Sequence, residues 1–71
     1  MHIKFTNHAK WRIEERGVSI NNLEWALKNP DSIRKVFSGT FIAKKTFGGK
    51  VLEVVYTKNK RQYIVITAYY L

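Results

Sequence analysis

Residues 40–57 read TFIAKKTFGGKVLEVVYT. Thr40 to Phe47 and Lys50 to Thr57 are rich in β-branched and aromatic side chains, which suit a pleated, half-buried surface. Between them stands Gly48-Gly49, which takes the positive φ of a tight hairpin turn without a Cβ clash. Strands joined this briefly run antiparallel. The pattern extends in both directions. Ile33 to Phe37 and the Ser38-Gly39 turn precede it, and the Lys58-Asn59-Lys60 turn leads into Gln62 to Tyr70. The second half therefore predicts a four-stranded antiparallel meander.

The first half changes period. Thr6 or Asn7 can cap a helix that runs to about Arg16 and stops at Gly17, a favoured residue just past a helix end. Ser19 opens a second helix, and Asn29-Pro30 closes it. Ile20, Leu23 and Leu27 form its apolar stripe. Pro30-Asp31 reads as a turn. HIKF, residues 2–5, alternates polar and apolar and can add a short amino-terminal strand. The expectation is one α+β domain over residues 1–71, two helices packed on the meander, with no repeat, linker or low-complexity segment.

Composition narrows the class. A chain of 71 residues buries only about 60% of its extended surface. With 45% hydrophobic and 14% aromatic residues it still has a core to build. There is no cysteine, hence no disulfide and no thiolate metal site, which fits a reducing cytoplasm. Met1, His2, Ile3 and Lys4 do not begin an apolar signal core. No run approaches the roughly 20 apolar residues of a membrane helix. Thirteen Lys and Arg against five Asp and Glu leave a net charge of +8. Such a surface attracts polyanions, and counterion release from phosphates favours nucleic acid.

HAKWRIEERG, residues 8–17, carries the chemistry. On a helix, His8, Arg12 and Arg16 fall in one slanted row beside the buried stripe of Ala9 and Ile13. Neighbouring guanidiniums repel and need an anion. Glu15 can serve Arg12, and Asp31 or Glu24 can serve Arg16, which makes an ion-paired helix edge. Five carboxylates cannot pair thirteen cations, however, and phosphate matches the guanidinium fork. A neutral imidazole at His8 can act as a base. Attack of a 2′-OH on the adjacent phosphate of RNA needs such a base, cations and an acid, but no metal. The acidic residues are too few and scattered for a two-metal site, and no phosphate loop, Cys/His pair or zinc pattern is present. No cofactor is expected.

The last strand reads QYIVITAYYL. Strict alternation puts Ile64, Ile66 and Ala68 on one face, suited to the helices, and Tyr63, Val65, Thr67 and Tyr69 on the other. The second face can stack on bases or bond a phosphate. Thr and Tyr are also ordinary strand residues. Lys44 and Lys45 straddle both faces, so at least one faces solvent and can join an RNA track with Tyr63. Trp11 and Trp25 fall off their apolar stripes. They pack against each other or the first strand, or form an exposed patch for a partner.

HAKWRIEERGVS resembles the His-Ala-x-x-Arg-apolar-x-x-Arg-Gly-apolar-Ser signature of the domain-of-unknown-function family 4258. The later NP, LEVVYT and YIVITAYY resemble its helix ending and closing strands. That family is similar to the RelE/barnase-like ribonuclease superfamily, whose toxins cleave RNA without metal and are often silenced by an antitoxin. The resemblance implies a RelE-like fold, functional positions at His8, Arg12, Arg16 and Thr67, with Tyr69 beside them, and an acidic antitoxin partner. The basic-plus-tyrosine set of ribosome-dependent toxins has no residue-by-residue match here. The reading is a metal-independent toxin-type ribonuclease. Arg12 and Arg16 hold the phosphate, His8 moves the proton, and Thr67 and Tyr69 orient the substrate. The alternatives are a non-catalytic nucleic-acid-binding module and a protein-interaction module built on Trp11 and Trp25.

Overall fold

The hairpin at Gly48-Gly49 forms as its sequence predicts, with Gly48 at φ +59°. The structure, a computed structural model, describes residues 2–71. Met1, the first residue of the expected domain, lies outside them. The elements are β1 (His2–Phe5), α1 (Asn7–Glu15), α2 (Ile20–Lys28), β2 (Ser32–Phe37), β3 (Thr40–Phe47), β4 (Lys50–Lys58) and β5 (Gln62–Tyr70). Neither helix is long and apolar enough to cross a membrane.

Local chemistry sets the helix ends. Thr6 Oγ1 accepts from the Ala9 N–H at 3.0 Å, and Ser19 Oγ from the Asn22 N–H at 3.3 Å. Each satisfies a donor that a helix start leaves orphaned. Gly17, at φ +66°, turns the chain out of α1. Its N–H bonds the Glu14 carbonyl at 3.2 Å, and the Val18 N–H bonds the Ile13 carbonyl at 3.0 Å. This paired closure brings Val18 onto Ile13, and both are buried in the core.

β2 to β5 form the expected antiparallel meander, but within a five-stranded mixed sheet of order β1-β5-β4-β3-β2. The short amino-terminal strand forms as β1, and by pairing β5 in parallel from His2–Gln62 to Phe5–Val65 it corrects the four-stranded antiparallel sheet to a mixed one of five. Alternation in four residues shows a strand but not its partner. That partner lies at the far end of the chain. Both helices cover one face, α1 against β5 and α2 against β4 and β3. Ala9, Ile13, Val18, Leu23, Ala26 and Leu27 meet Ala43, Leu52, Val54, Tyr56, Val65 and Ala68 there. Burying a side chain such as Leu23 or Leu52 contributes about 1.5–3 kcal/mol. Ile20, expected in the α2 stripe, sits on the first turn and stays exposed, while Ala26 is buried instead.

A bulge in β5 decides which side chains leave the core. Val55 pairs with Thr67 and Tyr56 with Val65, so Ile66 has no partner on β4. One extra residue reverses the alternation beyond it. Tyr63 and Val65 therefore point to the helices before the bulge, and Ala68 and Tyr70 after it. The expected grouping of Tyr63, Val65, Thr67 and Tyr69 on one face is split. Ile64 is likewise separated from Ala68.

Candidate functional site on the open face of the sheet

Residues opposite each other on paired strands share a face. Ala43, Val54 and Ala68 make one such row, and it lies under the helices. The two flanking rows point away from them: Lys44–Glu53–Tyr69 and Ile42–Val55–Thr67. The second continues to Arg34 on β2. This helix-free face carries the polar cluster.

Glu53 sits at its centre, only 4% exposed. A carboxylate buried this far requires partners, since an unpaired one is costly to desolvate. It has them on both oxygens. The Tyr69 hydroxyl donates to Oε1 at 2.9 Å, and Arg34 Nη1 donates to Oε2 at 3.2 Å. Burial, with the Glu53 bond and charge behind it, pushes the Tyr69 phenol above its ordinary pKa, so it keeps its proton. Arg34 reaches over β3 to make its bond, and its side chain is 60% exposed.

Arg16 arrives from the opposite side. It is the last residue of α1's closing turn, and its Nη1 donates to Thr67 Oγ1 at 3.1 Å and to the Ala68 carbonyl at 3.0 Å. β1 pairs with β5 only as far as Val65, so Ala68 lies on a stretch of β5 that β1 leaves uncovered. The guanidinium also stands 5.9 Å from the Tyr69 ring centre. Arg16 on Thr67 and the hydrogen-bonded set of Tyr69, Glu53 and Arg34 thus form one polar cluster from the end of α1 over β5 and β4 to β2, joined where Arg16 faces the Tyr69 ring.

The other expected residues lie elsewhere. Arg12 bonds Glu15 at 3.0 Å and stacks 4.8 Å from the Trp11 ring centre. His8 is exposed in the first turn of α1, edge-on to Trp11 at 6.4 Å. The slanted row is therefore divided, and only Arg16 is bonded to β5. Lys44 is on the open face across from Glu53. Lys45 instead bonds Asp31 at 3.2 Å. Asp31 also accepts the Thr46 N–H at 2.8 Å, and that bond, followed by the Lys45 bond, holds its carboxyl below the ordinary value. Asp31 was one of the expected partners of Arg16, and it serves β3 instead. Tyr63 packs on Tyr56 at 5.2 Å on the helix side, so it does not join Thr67 and Tyr69. Trp11 and Trp25 are 57% and 52% exposed. A hollow of about 330 Å³ lies between the helices and β1, lined by Phe5, Lys10, Ile13, Glu14, Val18 and Ile20, none of them an expected site residue. Among the described residues, no three His, Cys, Asp or Glu side chains gather as a metal centre requires.

Glu53 and Arg34 are absent from the sequence reading of the site. The available signal is Glu53 itself, a lone charge inside the apolar run VLEVVY. Such a residue is rarely buried without a paired role. Arg34 carries no comparable signal, because its contact spans 19 positions and depends on the sheet order.

The model of a family described as a domain of unknown function, DUF4258, matches residues 5–70. No curated protein and no solved structure matches the chain.

Proposed function

The chain belongs to the DUF4258 family, and we propose that it is a metal-independent ribonuclease whose working surface is the open face of the sheet. The observation that carries this is the buried Glu53, held by Tyr69 and Arg34 and approached from the other side by Arg16 on Thr67. A carboxylate between two guanidiniums matches what phosphodiester transfer demands: one base, and positive charge on either side of the phosphorus. Arg34 exchanges Glu53 for a phosphate oxygen, a move its exposed side chain permits, and this uncovers the carboxylate. Each carboxylate oxygen has a second lone pair, so Glu53 can accept a proton while Tyr69 stays bonded.

In this reading Glu53 takes the proton of the 2′-OH. The 2′ oxygen bonds to phosphorus, and the bond to the 5′ oxygen breaks. That leaving oxygen takes a proton from solvent, giving a 2′,3′-cyclic phosphate and a free 5′-OH. Arg16 and Arg34 carry the charge that builds on the phosphoryl oxygens. Thr67 and Tyr69 are positioning residues, the first for Arg16 and the second for Glu53. His8, expected to move the proton, lies in the first turn of α1 on the helix-covered side of the sheet and takes no part in this step. A RelE/barnase-like kinship and a toxin role with an acidic antitoxin are part of the same proposal. They are supported by the amino-terminal motif and by two helices on a meander.

The test is incubation of ribosomal, messenger and transfer RNA with the purified protein in chelator. Wild type is expected to cut, leaving cyclic phosphate ends. Glu53→Gln keeps the shape and the Tyr69 acceptor but not the base, so cleavage falls by about 100-fold or more while binding persists. No cleavage by wild type, or equal cleavage by the variant, overturns the ribonuclease. Binding without cleavage would favour the non-catalytic module, which the double pairing of Glu53 also suits.

A further inference from the structure

β2 is an edge of the sheet, and all six of its residues are exposed. Its outer N–H and C=O groups have no neighbouring strand among the described residues, which makes the edge a template for another chain. Natural edges are blunted by charge and by bulges, and β2 has both. Arg34 and Lys35 are cationic, and the pairing with β3 slips between Lys35 and Phe37. Its apolar side chains run against that protection. Ile33, Val36 and Phe37 are 52%, 44% and 69% exposed.

The charges select the occupant. In an antiparallel pairing of two copies opposed residues share a face, so a register centred on Arg34 sets it against its own copy, and one centred on Lys35 does the same for Lys35. Like charges directly opposed destabilise a strand pair. RNA satisfies the cations but offers no backbone ladder and nothing for three apolar side chains. An extended protein segment supplies both, provided that it is acidic opposite Arg34 and Lys35 and apolar opposite Ile33, Val36 and Phe37. We infer that β2 docks an acidic, extended segment of a partner protein by strand addition. The proposal stands without the ribonuclease reading. It touches the open face all the same, because an acidic side chain over Arg34 competes with Glu53 for that guanidinium.

The probe is a capped peptide of about eight residues, made of valine and threonine around two adjacent glutamates, with a lysine counterpart as control. Both are titrated into the isotope-labelled full chain and followed by amide chemical shifts. The glutamate peptide is expected to shift residues 32–37 and their β3 neighbours. The lysine peptide binds about tenfold more weakly, because two opposed charge pairs change sign. Lys35→Glu, at an exposed position, weakens the glutamate peptide and strengthens the lysine one, with circular dichroism confirming the fold. Four results overturn the proposal: no shift at millimolar peptide, equal binding of both peptides, shifts centred on the hollow between the helices and β1, or self-association through residues 32–37.

Discussion

Arg16→Ala tests whether the basic residue at the end of α1 is a free phosphate ligand or a structural tie. Its Nη1 is shared between Thr67 Oγ1 and the Ala68 carbonyl. A hydrogen bond from a charged donor contributes about 1.5–3 kcal/mol, and leaving a buried acceptor unsatisfied costs about 1–3 kcal/mol. Ala68 is fully buried as a residue, so its carbonyl depends on this donor or on water that enters in its place. The Thr67 bond is exposed and is worth less. Taken together, Arg16→Ala should destabilise the fold by about 2 kcal/mol, a fall in melting temperature of roughly 10 °C for a domain this small. Arg12→Ala provides the contrast. Its bond to Glu15 is a surface i,i+3 pair, so the cost should stay within about 0.5 kcal/mol. Urea unfolding measures both, with a lowered midpoint and an unchanged slope marking a true stability change. Equal costs for the two variants, or an Arg16→Ala cost below about 0.5 kcal/mol, would refute the argument. Thr67→Val should recover most of the wild-type stability, because it spares the Ala68 bond.

Tyr69 gives an alkaline limb. Its folded pKa is raised, so its contribution is intact below the unfolded value near 10.0 and fades as pH rises through the folded one. Wild type should therefore lose stability more steeply above pH 10 than Tyr69→Phe, read from urea midpoints across the range. Asp31 behaves oppositely. Its pKa is lowered, so its contribution is present above the unfolded value of 3.8 and is lost as pH falls through the folded one. Asp31→Asn should flatten that part of the acid limb in thermal melts. Leu23→Ala, at a fully buried position, should cost about 2–5 kcal/mol by chemical denaturation, enough to unfold a marginal domain.

What the sequence disclosed was local. Thr6, Ser19, Gly17 and Gly48 act through bonds and dihedrals within a few residues, and each sits where its chemistry points. What it concealed was register. HIKF shows a strand but not that it lies parallel to residues 62–65. QYIVITAYYL alternates cleanly on paper, and nothing in it marks Ile66 as the extra residue that turns Tyr63 inward and leaves Thr67 and Tyr69 out. Alternation alone puts Tyr63 on the wrong face and leaves Glu53 out of the site, because its partners come from β5 and from an edge strand two places away.

The like charges along α1 have a different explanation from the one their spacing suggests. A row of His8, Arg12 and Arg16 penalises an isolated helix by a few tenths of a kcal/mol for the cation pair. The fold removes that penalty by giving each member its own neighbour. Trp11 takes His8 and Arg12, Glu15 pairs Arg12, and β5 holds Arg16. An anion that bridged the whole row would have to displace Glu15, whereas an anion on the sheet meets Arg16 and Arg34 with no carboxylate removed except Glu53. Displacing Glu53 from Arg34 is also what frees a base. Binding and activation then become a single step on the open face, which the helix row alone does not provide.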